Sequence, residues 1–416
     1  MKHGNHLLPS RGLEVCTGCS ACAAVCPERC IIMQPNEEGF LYPFTDASIC
    51  TDCGICRQTC PVNRERTSVD KVASEGRGSE PLAVLAAWHL DEDFRRKSSS
   101  GGVFTALAKS ILAQGGMVVG AVFDDQFVVR HILIESSEEL HRLRGSKYVQ
   151  SEIAPVHHRQ IRDLLEHGRP VLFSGTPCQI AGLRGSLRQS YENLFCCDLI
   201  CMGVPSPKLF KKYIDWKCAK IDTPLVSCEF RNKVYGWKTP SMILQFSGGK
   251  VVRERSGKNP YYLAFGKQIA LRPACYACDF KGVNRIGDLT LADFWGVSKK
   301  YPEYDRDDKG TSLILVNSEK GKAWLDACRP NLFLGPADLD TAVAGNPMLV
   351  SSCTRPPQRD AFYSDLDKLS FAALIRNYGL CPPSFFCRIL SGIKRRIVAV
   401  WPSAWDPLGH GKSNRV

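Results

Sequence analysis

The sequence predicts a protein of the α+β / α/β class, with a small N-terminal module followed by a mixed α/β body. Three observations carry this reading. First, the run C-x2-C-x2-C-x3-C-P occurs twice, as Cys16, Cys19, Cys22, Cys26, Pro27 and as Cys50, Cys53, Cys56, Cys60, Pro61, so residues 1–66 read as an internally duplicated module. Second, residues 67–80 are rich in Ser, Gly and charge and read as a linker. Third, from residue 81 onward short apolar strands alternate with amphipathic helices.

Between the two cysteine runs, Gly39-Phe40-Leu41-Tyr42-Pro43 reads as a short extended piece. In the body, 82–88 is an apolar strand, and Ser98-Ser99-Ser100-Gly101-Gly102 precedes a helix with the apolar face Val103, Phe104, Leu107, Ile111 and Leu112. Segments 117–123 and 127–134 form a hairpin closed by Asp124, Asp125 and Gln126, and Ser137 is expected to cap a helix carrying Leu140 and Leu143. Residues 152–167 are helical, 171–173 is a buried strand leading through the turn 175–178 to a helix, and 194–200 is a second strand ending at Cys201. Ser206-Pro207 starts a helix, with serine as cap and proline in the first turn. Segments 242–246 and 251–255 flank Gly248-Gly249, a hairpin signal. The expected division is a module (1–66), a linker (67–80), two parts of the body (81–160 and 161–335) and a helical basic tail (336–416). Within that tail, 385–401 suits a basic amphipathic helix; a solvated face is preferred over peripheral membrane or partner contact.

The duplicated run is the pattern that ligates cubane iron–sulfur clusters in bacterial two-cluster ferredoxins. Three thiolates two residues apart wrap three corners of one cube, and the fourth reaches across to the other. Cys16, Cys19, Cys22 and Cys60 are therefore assigned to one [4Fe-4S] centre, and Cys50, Cys53, Cys56 and Cys26 to its twin. Disulfides would suit a secreted chain, and zinc does not require two identical four-cysteine runs each closed by proline.

Hydrophobic residues make up 44% and charged residues 23%, ordinary for a globular protein. No secretory signal and no membrane-spanning apolar stretch is visible, so 21 cysteines point to a reducing cytoplasm with little oxygen. The formal charge of +12 falls to about +6 if three clusters each contribute about −2. Nucleic-acid binding is excluded, because no reader motif or interleaved aromatic stripe accompanies the charge. An acidic partner or an anionic cofactor fits better.

A second set of cysteines is spread through the body. Cys178 and Cys201 each follow an apolar strand, and loops after parallel strands share one sheet edge where ligands collect. Cys275 and Cys278 form C-x2-C. Spacing alone leaves open a [4Fe-4S] cluster, a structural zinc, or cysteines that never meet.

Residues from about 80 to 335 resemble the beta subunit of coenzyme F420-reducing hydrogenase and F420-dependent dehydrogenases, a family that also includes 7-hydroxymethyl chlorophyll a reductase. The segments that carry the resemblance are Ser99-Ser100-Gly101-Gly102, Gly145-Ser146-Lys147-Tyr148-Val149-Gln150, Gly175-Thr176-Pro177-Cys178-Gln179, Cys201-Met202-Gly203-Val204-Pro205, Cys275-Tyr276-Ala277-Cys278-Asp279 and 287–296. They occur in family order. The resemblance implies a third [4Fe-4S] cluster on Cys178, Cys201, Cys275 and Cys278, and bound FAD. The expected fold is then a dicluster ferredoxin-like module followed by a mixed α/β flavin-binding body. Cys196 and Cys197 read as buried core, and Cys30, Cys218, Cys228, Cys328, Cys353, Cys381 and Cys387 as packing residues.

FAD carries a pyrophosphate, and small residues before a helix let backbone N–H groups approach it. Ser99, Ser100, Gly101 and Gly102 supply such a start, although a plain small-residue cap reads equally well without the family. Lys147 can neutralise a phosphate or a flavin anion, and Tyr148 can stack on a ring; surface lysine and core tyrosine are the bland readings. Asp198, Asp288 and Asp293 are candidate polar groups near that site, although a turn or loop carboxylate is the slightly preferred reading of each.

Cubanes pass one electron at a time, whereas a hydride carrier takes two, and flavin connects the two regimes. The leading expectation is an iron–sulfur flavoprotein oxidoreductase acting between a donor or acceptor protein such as ferredoxin and a small molecule. That molecule is an F420-like deazaflavin or an organic substrate, with polysaccharide assembly one setting found in the family. The alternatives are a non-catalytic electron-relay subunit of a larger complex, and a ferredoxin module fused to a zinc-stabilised scaffold.

Overall fold

The computed structural model describes Pro9, residues 11–63 and residues 80–382. In the module, two short helices, Ala21–Val25 and Ile55–Thr59, flank the antiparallel hairpin β1 (Ile31–Pro35) and β2 (Leu41–Thr45). Its own apolar cluster is small, Ala23, Cys30, Ile31 and Cys56, while Phe40 is buried against the body.

The body is built on β3 (Ala83–His89), β4 (Met117–Phe123), β5 (Val129–Ile134), β6 (Val171–Gly175), β7 (Leu194–Leu199), β8 (Leu225–Asn232), β9 (Ser241–Phe246), β10 (Val251–Arg255), β11 (Leu289–Asp293), β12 (Ser312–Val316) and β13 (Leu332–Pro336). Eight of these form one sheet in the order β13-β3-β12-β11-β7-β6-β4-β5. Its centre, β11-β7-β6-β4, is parallel, and the outer strands are antiparallel. The parallel strands read as apolar runs because both sheet faces are covered. The helix Val103–Leu112 covers one face with Leu107 and Ile111; the helices Pro155–Glu166 and Pro177–Leu187 cover the other with Ile161, Ile180 and Leu183. The sheet runs through both 81–160 and 161–335, so these two parts share one core.

β8, β9 and β10 form a separate antiparallel sheet, with Gly248 and Gly249 at φ 78° and 82° in the turn. It packs against the helix Pro207–Ile221, whose N-cap Ser206 accepts from the Leu209 N–H at 3.3 Å. Ser137 caps no helix: the helix Leu140–Leu143 has Glu139 at its N-cap, and the nearby hydroxyl bond is from the Glu138 N–H to Ser136. The region read as a tail is, in its described part, no appendage. Its helices Arg359–Leu366 and Phe371–Asn377 bury Phe362, Leu366, Phe371 and Leu374 in the core of this smaller sheet. The candidate amphipathic helix at 385–401 and Cys387 lie outside the described residues.

Module and body are packed together. Gly182 and Gly185 lie one turn apart on the helix Pro177–Leu187. A Cβ on Gly182 would stand 2.6 Å from Cys19 Cβ, and one on Gly185 would stand 2.6 Å from the Thr59 carbonyl oxygen. The absence of side chains there lets the module seat directly on the helix. The buried Arg359 grips Glu38 of the module through two bonds of 2.7 and 2.6 Å.

Candidate functional site

The structure brings the cysteines together in three sets. In the first, Gly18 and Ser20 take left-handed φ of 71° and 64°, which curls the backbone between Cys16, Cys19 and Cys22. Cys60 follows the helix Ile55–Thr59 and joins them from the second run. Burial pushes the Cys60 thiol up to about 12, reinforced by Cys19. Burial likewise raises Cys22 well above the usual thiol range, with Cys19, Cys16 and Cys60 adding to it. The second set shares a cavity lined by Cys26, Cys50, Cys53 and Cys56. Cys30, read as a packing residue, also lines this cavity, with its sulfur 3.3 Å from that of Cys26.

The third set is assembled by the sheet. Gly175 at the end of β6 is in register with Asp198 near the end of β7, so Cys178 and Cys201 leave the same edge. Cys178 sits at the second position of the helix Pro177–Leu187, inside it rather than in the turn, behind a Thr176–Gln179 capping box. The Thr176 hydroxyl lies 3.1 Å from the Cys178 sulfur. Cys275 lies in the short helix Pro273–Ala277 and Cys278 follows it. Burial raises Cys178 well above its ordinary value, and Cys201, Cys278 and Cys275 push it the same way. Burial also raises Cys201, opposed by Lys281, and lifts Cys275 to about 12, with Cys201 adding to it. Cys353 donates to the Met202 carbonyl at 2.9 Å and neighbours this set.

None of the cysteines of the three sets is in a disulfide. Among the described residues, no three Cys, His, Asp or Glu side chains converge closely enough to hold a single metal ion. A tetrahedral zinc holds each thiolate about 2.3 Å from one point, whereas a cubane spreads four of them over its corners. Clustered thiols whose ionisation is disfavoured, as at Cys22 and Cys60 in the first set and at Cys178, Cys201 and Cys275 in the third, suit a cationic iron core that displaces their protons. Cys196 and Cys197 are fully buried in β7.

The residues proposed for FAD meet on the same edge. Asp293 ends β11 opposite Ser312, which pairs with Ala87. A Cβ on Gly101 would stand 2.3 Å from the Ala87 carbonyl oxygen, so packing of the loop onto β3 by itself requires this glycine. The Ser146 N–H donates to the Ser99 hydroxyl at 2.8 Å, linking the Ser99–Gly102 loop to the Lys147–Tyr148 loop. Lys147 Nζ donates to the carbonyls of Arg142, Leu143 and Arg144 at 2.9–3.1 Å, and burial brings its pKa down to about 7. The Tyr148 ring centre is 4.9 Å from that of Phe265, within an aromatic cluster.

Three residues at this edge escaped the sequence reading. Arg231 is buried at a left-handed φ of 58° and donates to Asp293 at 2.7 Å and to the Ser99 carbonyl at 3.4 Å. Its Nε is buried without a hydrogen-bond partner. Trp295 stacks on Trp237 at 4.8 Å and lies under the Arg231 guanidinium. Lys233 donates to the carbonyls of Ser100, Arg95 and Lys309, and burial lowers its pKa to about 7. The visible signal was two tryptophans, Trp237 and Trp295, and two cations at the end of a strand.

The candidate aspartates differ. Asp293 lies at the site but is tied to Arg231 and the Trp237 indole N–H. Asp198 is an internal brace, paired with Arg285 at 3.0 Å and accepting from the Gly287 N–H. Asp288 is at the opposite edge, at the start of β11, where it accepts from the Cys196 N–H and the Ser318 hydroxyl. It is a structural group away from the site.

Fold and cysteine sets define an iron–sulfur electron-transfer protein with a fused α/β body. The chain matches the 4Fe-4S dicluster domain over residues 15–64. It also matches the N-terminal and C-terminal domains of the coenzyme F420 hydrogenase/dehydrogenase beta subunit, over 84–157 and 168–340. It belongs to that family. Among curated proteins it is 26% identical, over 204 residues, to one of the subunits of the F(420)H(2) dehydrogenase of Methanosarcina mazei. That match covers 45% of this chain and 54% of the relative, so the chain spans about half of the relative's length. Among solved structures, a chain of the F420-reducing [NiFe] hydrogenase complex from Methanosarcina barkeri aligns with 14% identity and a TM-score of 0.44, covering 65% of this chain and 89% of that one. Among the described residues, no helix is long and apolar enough to cross a membrane.

Proposed function

We propose that the chain is an iron–sulfur flavoprotein oxidoreductase linking a one-electron partner protein, such as a ferredoxin, to a two-electron substrate. The observation that carries the reading is the convergence, on one sheet edge, of the third thiol set and the Ser99–Ser146–Arg231 cluster, with the module's first set seated on the same helix as Cys178. Each thiol set would hold a [4Fe-4S] cluster, and FAD when bound would join one-electron to two-electron chemistry. The unpartnered Arg231 Nε gives this edge a fixed N–H donor suited to the anionic part of FAD, with the amines of Lys233 and Lys147 beside it to take up a proton when an anion binds. Ser99 and Ser100 offer hydroxyls beside them. The family's name favours an F420-like deazaflavin as substrate, with an organic substrate, including one in polysaccharide assembly, as the other class.

One observation favours a second reading, an electron relay without flavin: Lys147 already satisfies three carbonyls, and Gly101 is required by packing. Iron, sulfide, zinc and flavin measured on protein purified without oxygen separate the two. About twelve irons with one FAD is the expected result. About twelve irons without flavin leaves the relay. About eight irons with zinc and no flavin refutes both in favour of a scaffold fused to a ferredoxin.

A further inference from the structure

We infer that Arg272 is a positioning residue whose fixed charge sets the reduction potential of two iron–sulfur centres at once, the first set in the module and the third set in the body. The inference rests on the three-cluster reading above.

Arg272 is fully buried, with 1% of its surface exposed. Its fork crosses the boundary between module and body: Nε donates to the Cys16 carbonyl, Nη2 to the Leu41 carbonyl at 2.9 Å and Nη1 to Gln150 Oε1 at 3.0 Å. Its backbone belongs to the third set, since its carbonyl accepts from the Cys275 N–H at 3.0 Å. The loop between Cys16 and Cys19 lies directly on the guanidinium: a Cβ on Gly18 would stand 2.9 Å from Nη1.

Every one of those acceptors is neutral. Among the described residues the other buried cations each have a carboxylate: Arg95 has Asp307, Lys217 has Glu254, Arg231 has Asp293, Arg285 has Asp198 and Arg359 has Glu38. Among the described residues no carboxylate forms an ion pair with Arg272. A guanidinium does not lose its proton, and a buried charge without an opposite charge is costly. The anionic groups placed to compensate it are the thiolates of the two sets.

Reducing a cluster adds one negative charge to it, and a nearby fixed cation stabilises that form. Both potentials are therefore held up by the same side chain, so a change at that side chain moves them together. The test is an anaerobic redox titration of the full chain followed by electron paramagnetic resonance, with iron counted in each sample. Arg272→Gln should lower both midpoints by at least about tenfold in the one-electron equilibrium, about 59 mV. Arg272→Lys, which keeps the charge and loses the fork, should leave both nearer to wild type. Gln150→Glu sets a carboxylate against Nη1 without deleting the arginine and should also lower both. It serves as the test if Arg272→Gln does not fold. About twelve irons with neither midpoint moved, or with only one moved, overturns the inference alone. About eight irons in the wild type overturns the three-cluster reading with it.

Discussion

The module and the body hold their cysteines in opposite ways. In the module, all eight thiols come in two local runs, and by the assignment above six serve the centre of their own run while Cys26 and Cys60 cross to the other. The apolar cluster there is only Ala23, Cys30, Ile31 and Cys56, and the module's Phe40 is buried in the core of the body's smaller sheet. In the body, Cys178, Cys201 and the Cys275–Cys278 pair are separated by long stretches of chain, and a core formed independently of them delivers each one to the sheet edge. A domain as small as the module gains little from apolar burial and depends on a metal or a partner surface, whereas the body does not. A site that makes its fold is written in local spacing; a site made by its fold is written across the whole chain.

The largest test of this contrast is stripping the clusters without oxygen and following amide hydrogen exchange. Residues 15–63 should approach the exchange of an unfolded chain, while β6, β7 and β11 stay protected. Equal loss in both regions would break the comparison. A smaller effect probes the clamp between them. Glu38→Gln leaves Arg359 buried without its carboxylate and should cost about 3 kcal/mol in denaturant unfolding, with faster exchange in the module. The exposed Arg57–Asp52 pair within the module is the control: Asp52→Asn should change stability by less than about 1 kcal/mol.

The smallest effect concerns pH. His131 is buried in the body between the Ser151 hydroxyl and the Ser174 carbonyl, and burial depresses its pKa to about 4. The unfolded chain, with an imidazole pKa of about 6.5, binds the extra proton first. The stabilisation is present above about pH 6.5 and is lost as pH falls towards 4, by about 1.4 kcal/mol between pH 7.5 and 5.5. Urea midpoints of the full chain at pH 7.5 and 5.5 should differ accordingly, and His131→Asn should remove that part of the difference. Residues 11–63 contain no histidine, so this slope belongs to the body. An unchanged slope in the variant would assign the acid sensitivity elsewhere.

Much of this was legible in the residues. The strands 82–88, 171–173 and 194–200 and the Gly248-Gly249 hairpin follow from local periodicity and turn chemistry, and the structure forms them. Cys178 and Cys201 were readable as neighbours because strand order in a parallel sheet places successive strand ends together. What escaped depends on contacts between distant parts of the chain. Arg272 reaches Cys16 across 256 positions and Arg359 reaches Glu38 across 321, and nothing beside either arginine announces its partner. The helices 359–366 and 371–377 carry no motif, so their place in the core was invisible, and a basic terminus read as a tail. Ser137 failed as a cap because the short helix begins two residues later than its apolar pattern suggested. One missed signal was visible: Gly182-Leu183-Arg184-Gly185 puts two side-chain-free positions on one helix face, the mark of a surface that something approaches closely.

That helix has a consequence for rate. A free electron carrier meets its acceptor by diffusion, so its throughput scales with its concentration and falls under crowding or dilution. Here the helix Pro177–Leu187 carries Cys178 in its first turn and the Gly182 seat for Cys19 about 6 Å further along its axis. If the body holds a third cluster as proposed, the encounter is replaced by a rigid strut, and exchange between the two regions becomes a first-order property of the folded chain, independent of how much of the protein the cell makes.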